Sequence, residues 1–266
     1  MNRSKRNVYL LAAVLVATAA CDGREHRRGS DASRATVTRN WPAAGIAVVK
    51  VIEVDGNITV EASTGNEISL LATAKGDLEI IKGQENDGLF ETKLDGDTLR
   101  IGRNEREREG FHFFWEMDDV EIDYVLRVPA TVSLAVTTVN GKIATRGIDG
   151  DIRATTVNGP IEVEAGGGNE LVASTVNGRV RAKFTRDFQG ARFKTVNGGV
   201  TATLPASASF AVNLSQVNGD FEASFPLSIH SNPGSRRVSG DVNGGTHELK
   251  ITTVNGDVEL AQLNGT

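Results

Sequence analysis

The tripeptide Val-Asn-Gly occurs seven times after residue 138, and it restricts the fold more than any other feature of the sequence. Successive asparagines are separated by 18, 19, 20, 21, 25 and 12 residues. A tripeptide that returns at a nearly constant period indicates a repeat architecture, in which each unit buries its apolar face only by stacking on its neighbours. The predicted repeat corners are Asn140-Gly141, Asn158-Gly159, Asn177-Gly178, Asn197-Gly198, Asn218-Gly219, Asn243-Gly244 and Asn255-Gly256.

Each repeat unit has the pattern of a strand, a turn and a second strand. Leu134 and Val136 precede Asn140 by six and four residues and alternate with more polar positions, as residues on one face of a strand do. Ile143 resumes the alternation after the turn, and most other units repeat this arrangement. The shared register predicts inward-facing core positions at Leu134, Ile152, Leu171, Val180 and Leu249.

The period, rather than the turn, selects the fold. Asn-Gly is favoured where successive residues take positive φ, so a meander of hairpins would use it equally well. A longer unit instead matches one rung with two or three short strands, and Ile148-Asp149-Gly150 is a candidate second corner. We therefore predict an all-β fold, a β-helix-like solenoid of about 18–21-residue rungs with Asn-Gly corners.

The corner asparagines have two alternative roles. They could form an internal ladder in which each amide bonds to the next rung, or they could be independent turn residues exposed to solvent. A second line of polar residues has the parity of the apolar positions, so its hydroxyls are predicted to point inward, which disfavours an ice-binding array. This line consists of Thr138, Thr156, Thr175, Thr195 and Thr253.

Residues 41–266 are predicted to form a single solenoid domain, with regular repeats over residues 128–260. The segments VDGNITVEAS and LDGDTLRIGR continue the apolar alternation with looser corners, which indicates degenerate rungs over residues 45–127. A separate small β-sandwich is the alternative for this earlier part.

The N-terminal residues have the order of a bacterial export signal. Three cations precede an apolar run from Val8 to Val16, and small residues lead to Cys21, the only cysteine of the chain. This arrangement resembles the lipobox of bacterial lipoproteins, which implies a signal peptide over residues 1–20 and lipidation of Cys21. The alternative is a soluble exported protein. Residues 21–40 have little apolar content and are predicted to be a flexible tether.

The run VEIDYVLRVPATVSLAVTTVNGKIAT, which starts at Val120, resembles the bacterial domain-of-unknown-function family whose members are called "putative adhesins". The resemblance extends over roughly residues 45–260. It implies a β-helix-like fold and a location in the cell envelope.

Charge and spacing argue against several kinds of site. Residues 41–266 carry 21 Lys/Arg against 31 Asp/Glu, a balance of −10, and no basic stripe is expected, so nucleic acid is not expected as a partner. The four histidines lack metal-ligand spacing, and no metal, cofactor or catalytic residue is predicted. Some β-helices cleave polysaccharides with grouped carboxylates, so a polysaccharide-active enzyme is the alternative. Its candidate residues are Asp149, Asp151, Glu162 and Glu164.

The segment GFHFFWEMDDVEID is the most unusual part of the chain because it concentrates aromatic side chains beside carboxylates. It is either a projecting contact loop or a cover for an open end of the core. The candidate contact patch is Phe111, Phe113, Phe114 and Trp115.

Together these features predict a non-catalytic binding or scaffolding protein of the bacterial cell envelope. Its expected partners are the membrane, through the lipid on Cys21, and an envelope protein or glycan.

Overall fold

The computed structural model describes residues 33–76, 90–102, 120–167, 170–227 and 237–263. These residues form twenty strands, numbered β1 to β20 in chain order, joined by corners and turns. No helix long and apolar enough to cross a membrane occurs in these ranges.

The strands form two ten-stranded sheets that face each other across one apolar core. Sheet A contains, in spatial order, β1 (Ser33–Pro42), β4 (Glu67–Gly76), β7 (Glu121–Pro129), β3 (Ile58–Ser63), β9 (Ile143–Ile148), β11 (Ile161–Ala165), β13 (Val180–Phe184), β15 (Val200–Leu204), β20 (Val258–Gln262) and β17 (Phe221–Ala223). Sheet B contains β18 (Arg237–Val242), β16 (Phe210–Asn218), β19 (His247–Asn255), β14 (Ala191–Lys194), β12 (Leu171–Ser174), β10 (Ile152–Thr155), β8 (Ser133–Thr137), β2 (Val48–Ile52), β6 (Thr98–Gly102) and β5 (Glu91–Asp95).

Each regular rung passes from a sheet B strand through an Asn-Gly corner into a sheet A strand. Rungs stack in parallel and in register, so that Ile152 lies between Leu134 and Leu171. The chain returns to sheet B through a second corner, which follows β9 at Asp149-Gly150 as predicted. The predicted all-β solenoid with Asn-Gly corners is therefore confirmed.

The core lies between the sheets and is mostly aliphatic in its centre. The five predicted inward positions, Leu134, Ile152, Leu171, Val180 and Leu249, are at most 3% exposed. Edge-to-face aromatic pairs fill the core towards its two ends. Phe90 and Tyr124 lie at one end with ring centroids 5.7 Å apart. A chain of rings from Phe184 through Phe188 and Phe210 to Phe225 lies at the other.

The spatial order of the rungs differs from their order in the chain at both ends. The rung β2–β3 lies between β8–β9 on one side and β6 and β7 on the other. The last rung, β19–β20, lies between β14–β15 and β16–β17. The outermost positions are occupied by β1 and β5 at one end and by β17 and β18 at the other. The first and last rungs of the chain are therefore paired on both sides and expose no unpaired strand edge.

The predicted boundary of the tether at residue 40 is wrong, because β1 already begins at Ser33. β1 pairs with β4 along its whole length, and Ala35, Val37 and Trp41 pack partly buried against the core. Arg39 lies over the ring of Phe90, with its guanidinium carbon 5.0 Å from the ring centroid. The remainder of the predicted tether lies outside the described residues.

A partly buried ion pair joins the antiparallel strands to the first rung. Lys75 donates to the Asp123 carboxylate, whose other oxygen accepts bonds from the backbone and side-chain nitrogens of Asn57 at 2.8 and 2.9 Å. Burial alone would raise the pKa of Asp123, but the bonds from Lys75 and Asn57 outweigh it and hold that pKa below its usual value. The bond to Asp123 raises the pKa of Lys75.

Threonine hydroxyls inside the stack are either bonded to a neighbouring rung or left without a partner. Thr156 is 2% exposed, and its hydroxyl donates to the carbonyl oxygens of Val139 and Gly141 at 3.4 and 3.2 Å. The other four threonines of this line also donate to corner carbonyls of the adjacent rung, which confirms the inward orientation. Thr145 is equally buried, but its hydroxyl has no hydrogen-bond partner within the protein.

The same substitution at these two threonines should have opposite effects on stability. Thr145→Val removes a desolvated hydroxyl without a bond and should raise the free energy of unfolding by about 1 kcal/mol. Thr156→Val removes a bonded hydroxyl and leaves two carbonyls with one donor fewer, so it should lower that free energy by about 1 kcal/mol. Urea unfolding of both variants measures the difference. Changes of the same sign would contradict the assignment.

Candidate binding surfaces

The corner asparagines form a continuous ladder on the outside of the solenoid. Each side-chain nitrogen donates to the side-chain oxygen of the preceding rung, with distances of 2.8–2.9 Å between asparagines. All of these asparagines are exposed to solvent. The structure thus combines the two predicted alternatives, because the residues form a ladder and yet face solvent. In spatial order the ladder is Asp55, Asn140, Asn158, Asn177, Asn197, Asn255 and Asn218.

Asp55 is a ladder member that the sequence repeat missed. Asp55 lies at one end of the ladder, and the six amides all donate towards that end. The last of them, Asn140, donates to the Asp55 carboxylate at 2.6 Å. An ionised carboxylate only accepts hydrogen bonds, so it suits a terminal position that needs no donor of its own. The signal was present in the sequence as Val54-Asp55-Gly56, which differs from the repeat by a single residue type.

Asn243-Gly244, in contrast, does not belong to the ladder, and its inclusion among the repeat corners is wrong. It lies in the turn between β18 and β19, where the Asn243 side chain donates to the carbonyl oxygens of Ala206 and Ala208 at 3.0 and 2.9 Å. Asn243 is also the non-glycine residue with positive φ in the described chain, at 48°. The tripeptide therefore serves two different backbone geometries.

The glycine at each regular corner is required by close contact between rungs, and the predicted need for positive φ is wrong there. Gly141, Gly159, Gly178 and Gly198 lie outside the left-handed region. A Cβ added to any of them would lie 1.9–2.0 Å from the carbonyl oxygen of the glycine in the adjacent rung. No side chain fits in this space, so these corners stack only through glycine.

A line of valines runs beside the asparagine ladder. The valine before each corner points outward. From Val54 to Val176 its carbonyl accepts hydrogen bonds from two successive backbone nitrogens of the next rung, as Val139 does from Val157 and Asn158 at 3.3 and 2.7 Å. Val54, Val157, Val176, Val217 and Val254 are 36–47% exposed. The corner edge therefore carries a narrow apolar line next to a line of amides.

The outer face of sheet A is a grid of opposite charges that neutralise one another. Arg127 and Arg146 lie on either side of Glu61, with nitrogen to oxygen distances of 3.8 and 3.5 Å. Glu164 and Lys183 follow in the same line, 3.9 Å apart. A shallow depression of about 310 Å³ on this face is lined by charged groups that pair with one another.

The four carboxylates considered for polysaccharide cleavage are not brought together. Glu162 and Glu164 form ion pairs on sheet A, and Asp149 pairs with Arg186 at 2.6 Å beside the second corner. Asp151 lies immediately before β10 of sheet B and accepts the backbone N–H of Glu170 at 3.1 Å. Each has a structural partner, and together they line no common site.

The outer face of sheet B carries three parallel lines of different chemistry across the strands. The central line is cationic and consists of Lys250, Arg192, Arg153, Lys50, Arg100 and Lys93, which we name the basic column. Two residues earlier along the strands lies a line with the carboxylates Glu248, Glu170 and Asp151. Two residues later lies a line of hydroxyls, Thr252, Ser174, Thr155 and Thr137, which Lys194 interrupts between Thr252 and Ser174.

Several predicted site residues cannot be placed. Cys21 and the candidate contact patch, Phe111, Phe113, Phe114 and Trp115, lie outside the described residues. Within the described ranges, no group of three His, Cys, Asp or Glu residues could hold a metal ion. His247 instead packs edge-to-face against Phe188, with ring centroids 6.3 Å apart.

The steric role of the corner glycines can be tested with a matched pair of substitutions. Gly159→Ala places a Cβ 2.0 Å from the Gly141 carbonyl oxygen and should destabilise the domain by about 2 kcal/mol or more, because two rungs must separate. Gly65→Ala, in an exposed turn with no atom within 4 Å of the added Cβ, should change stability by less than about 0.5 kcal/mol. Thermal unfolding distinguishes the two, and equal shifts would refute the close-contact explanation.

A family model described as Toastrack DUF4097 matches residues 49–261. Among solved structures, the chain is similar to a "putative cell adhesion protein" from Clostridium sporogenes ATCC 15579, with 10% sequence identity and a TM-score of 0.47 over 87% of this chain and 100% of that chain. It is also similar to a "putative adhesin" from Bacteroides fragilis NCTC 9343, with 14% identity and a TM-score of 0.43 over 85% of this chain and 96% of that chain. No curated protein matches. The family match covers every ladder corner from Asp55 to Asn255, and the chain belongs to the Toastrack DUF4097 family.

Proposed function

We propose that this chain is a non-catalytic binding or scaffolding protein of the bacterial cell envelope, held at a membrane by a lipid on Cys21. The observation that carries the proposal is the pair of outer sheet faces, on which side chains of one chemistry recur from strand to strand in register. A surface of this kind offers the same contact repeatedly along one direction. An extended or polymeric envelope component fits such a surface better than a small molecule does.

The rigidity of the stack supports a binding role. Parallel pairing, the asparagine ladder and the threonine bonds all connect each rung to its neighbours at fixed register. Side chains on such a scaffold are held near their bound positions before a partner arrives. The loss of conformational freedom on binding is then small, which favours affinity.

The proposed attachment to the membrane rests on the sequence before β1. The apolar run is too short to span a bilayer, and small residues lead from it to a solitary cysteine. In a native host, Cys21→Ser should release the protein from the membrane fraction or leave its signal segment uncleaved. Fractionation and N-terminal sequencing measure both. Normal processing with unchanged membrane retention would disprove lipidation.

The binding role is tested with the mature chain carrying Cys21→Ser, which removes the proposed lipid. We expect this protein to retain a specific component of a native envelope extract on an affinity column, and a glycan array would separate polysaccharide from protein partners. Incubation with array-positive glycans should release no new reducing ends. Glycan cleavage would favour the polysaccharide-active enzyme instead, and the absence of any retained component would overturn the binding role.

A further inference from the structure

The basic column is unusual because it places like charges side by side. Lys93 pairs directly with Arg100, Arg100 with Lys50, and Arg192 with Lys250. Like charges on directly paired strand residues are destabilising. Only the small residues Ala135 and Val172 interrupt the line, and no carboxylate occurs in it between β19 and β5.

The outer face of sheet A shows that this fold can place opposite charges on neighbouring strands, where they neutralise one another. In sheet A, the equivalent line alternates in sign through Arg127, Glu61, Arg146, Glu164 and Lys183. Both faces have the same strand spacing and the same register constraints. The uniform sign of the basic column is therefore a property of its residues and is not imposed by solenoid geometry.

Most cations of the column also lack an ion-pair partner. Among the described residues, no carboxylate lies within 4.0 Å of the charged groups of Lys50, Arg153 or Lys250. Arg192 contacts Glu170 and Glu248 at 3.7 and 3.5 Å, and Arg100 contacts Asp95 at 3.7 Å. More than 40% of each of these side chains is exposed, so such contacts contribute little. The cations of the column can therefore bind an external anion without first breaking strong ion pairs.

The neighbouring lines limit the shape of that anion. Glu170 and Asp151 lie two residues before the column, a distance of about 7 Å along the strands. A bilayer surface or a nucleic-acid duplex is much wider than this and would place its phosphates against those carboxylates and against a domain of net negative charge. A single extended chain that follows the column avoids this repulsion.

The flanking groups indicate the chemistry of the chain. Hydroxyls of Thr137, Thr155 and Ser174 on one side and the carboxylates on the other can exchange hydrogen bonds with sugar hydroxyls. Arginine in the column binds carboxylates with two parallel hydrogen bonds. Arg192, Arg153 and Lys50 recur on every second strand, about 10 Å apart, which suits carboxylates on alternate sugars of an extended glycan.

Building on the proposed envelope-binding function, we propose that the outer face of sheet B binds one extended chain of an acidic polysaccharide, with its carboxylates along the basic column. The polymer runs across the strands, parallel to the stacking direction. Ionic contacts along the column supply the attraction, and the hydroxyl and carboxylate lines orient the sugars.

The test uses the mature chain with Cys21→Ser and two triple variants that remove the same charge. The sheet B variant is Lys50→Gln, Arg153→Gln and Arg192→Gln. The matched sheet A variant is Arg127→Gln, Arg146→Gln and Arg181→Gln. Thermal unfolding establishes that both are folded, and titration calorimetry measures binding to hyaluronate, whose carboxylates lie on every second sugar.

Hyaluronate should bind the parent protein, neutral dextran should not, and affinity should fall as salt rises. The sheet B variant should lose about tenfold or more in affinity, because charge-assisted hydrogen bonds are removed, whereas the sheet A variant should change by less than about twofold. Equal losses in the two variants would overturn the proposal. Tighter binding to phosphatidylglycerol vesicles or duplex DNA, lost in the sheet B variant, would also overturn it and assign the column to those surfaces.

The result is separable from the broader function. Failure to bind hyaluronate, combined with retention of an envelope component by both triple variants, would reject the polysaccharide site and leave the envelope-binding role intact. Failure to retain any envelope component would reject both.

Discussion

The contact between glycines of adjacent rungs is the constraint on which the rest of the solenoid depends. At the regular corners the backbone of one rung occupies the space where the next rung would place a Cβ. This close approach fixes the register of every strand pair on either side of the corner. Because a register shift of one residue would turn each apolar side chain to the solvent, the corner also fixes which residues form the core. The asparagine ladder and the threonine bonds then hold the rungs at this distance.

The end rungs of a stacked fold can leave strand edges without a partner, and in this chain the spatial order of the rungs limits that exposure. The rungs nearest the two chain termini are inserted between other rungs, and short or antiparallel strands take the outermost positions. Aromatic residues, with more volume than the aliphatic residues of the central rungs, fill the core where fewer rungs are available to cover it. The directional ladder likewise ends in Asp55, an acceptor without a donor group, where no further amide follows.

The sequence predicted those parts of the fold that depend only on local patterns of residue type. Inward positions such as Ile152 and Val180 follow from alternation, and the inward threonines follow from their parity with those positions. The exchange of rung order was not predictable, because parallel rungs with similar sequences can stack in any order without a change in local pattern. Local pattern also failed to separate Asp55 from Asp95, since VDG at the first forms a ladder corner and LDG at the second forms a tight hairpin between β5 and β6.

The expectation that the chain carries no basic stripe is wrong for the outer face of sheet B, and the basic column was not predictable for a related reason. Its six cations are scattered over about 200 residues of an acidic domain, and no short window of sequence contains more than two of them. Parallel stacking converts this scatter into a line, because positions of equal register in different rungs become neighbours. A solenoid can therefore build a strongly charged surface from a sequence whose net charge has the opposite sign. The self-neutralised face of sheet A shows that the same stacking can also pair opposite charges, so the contrast between the two faces reflects the choice of residues at each register position.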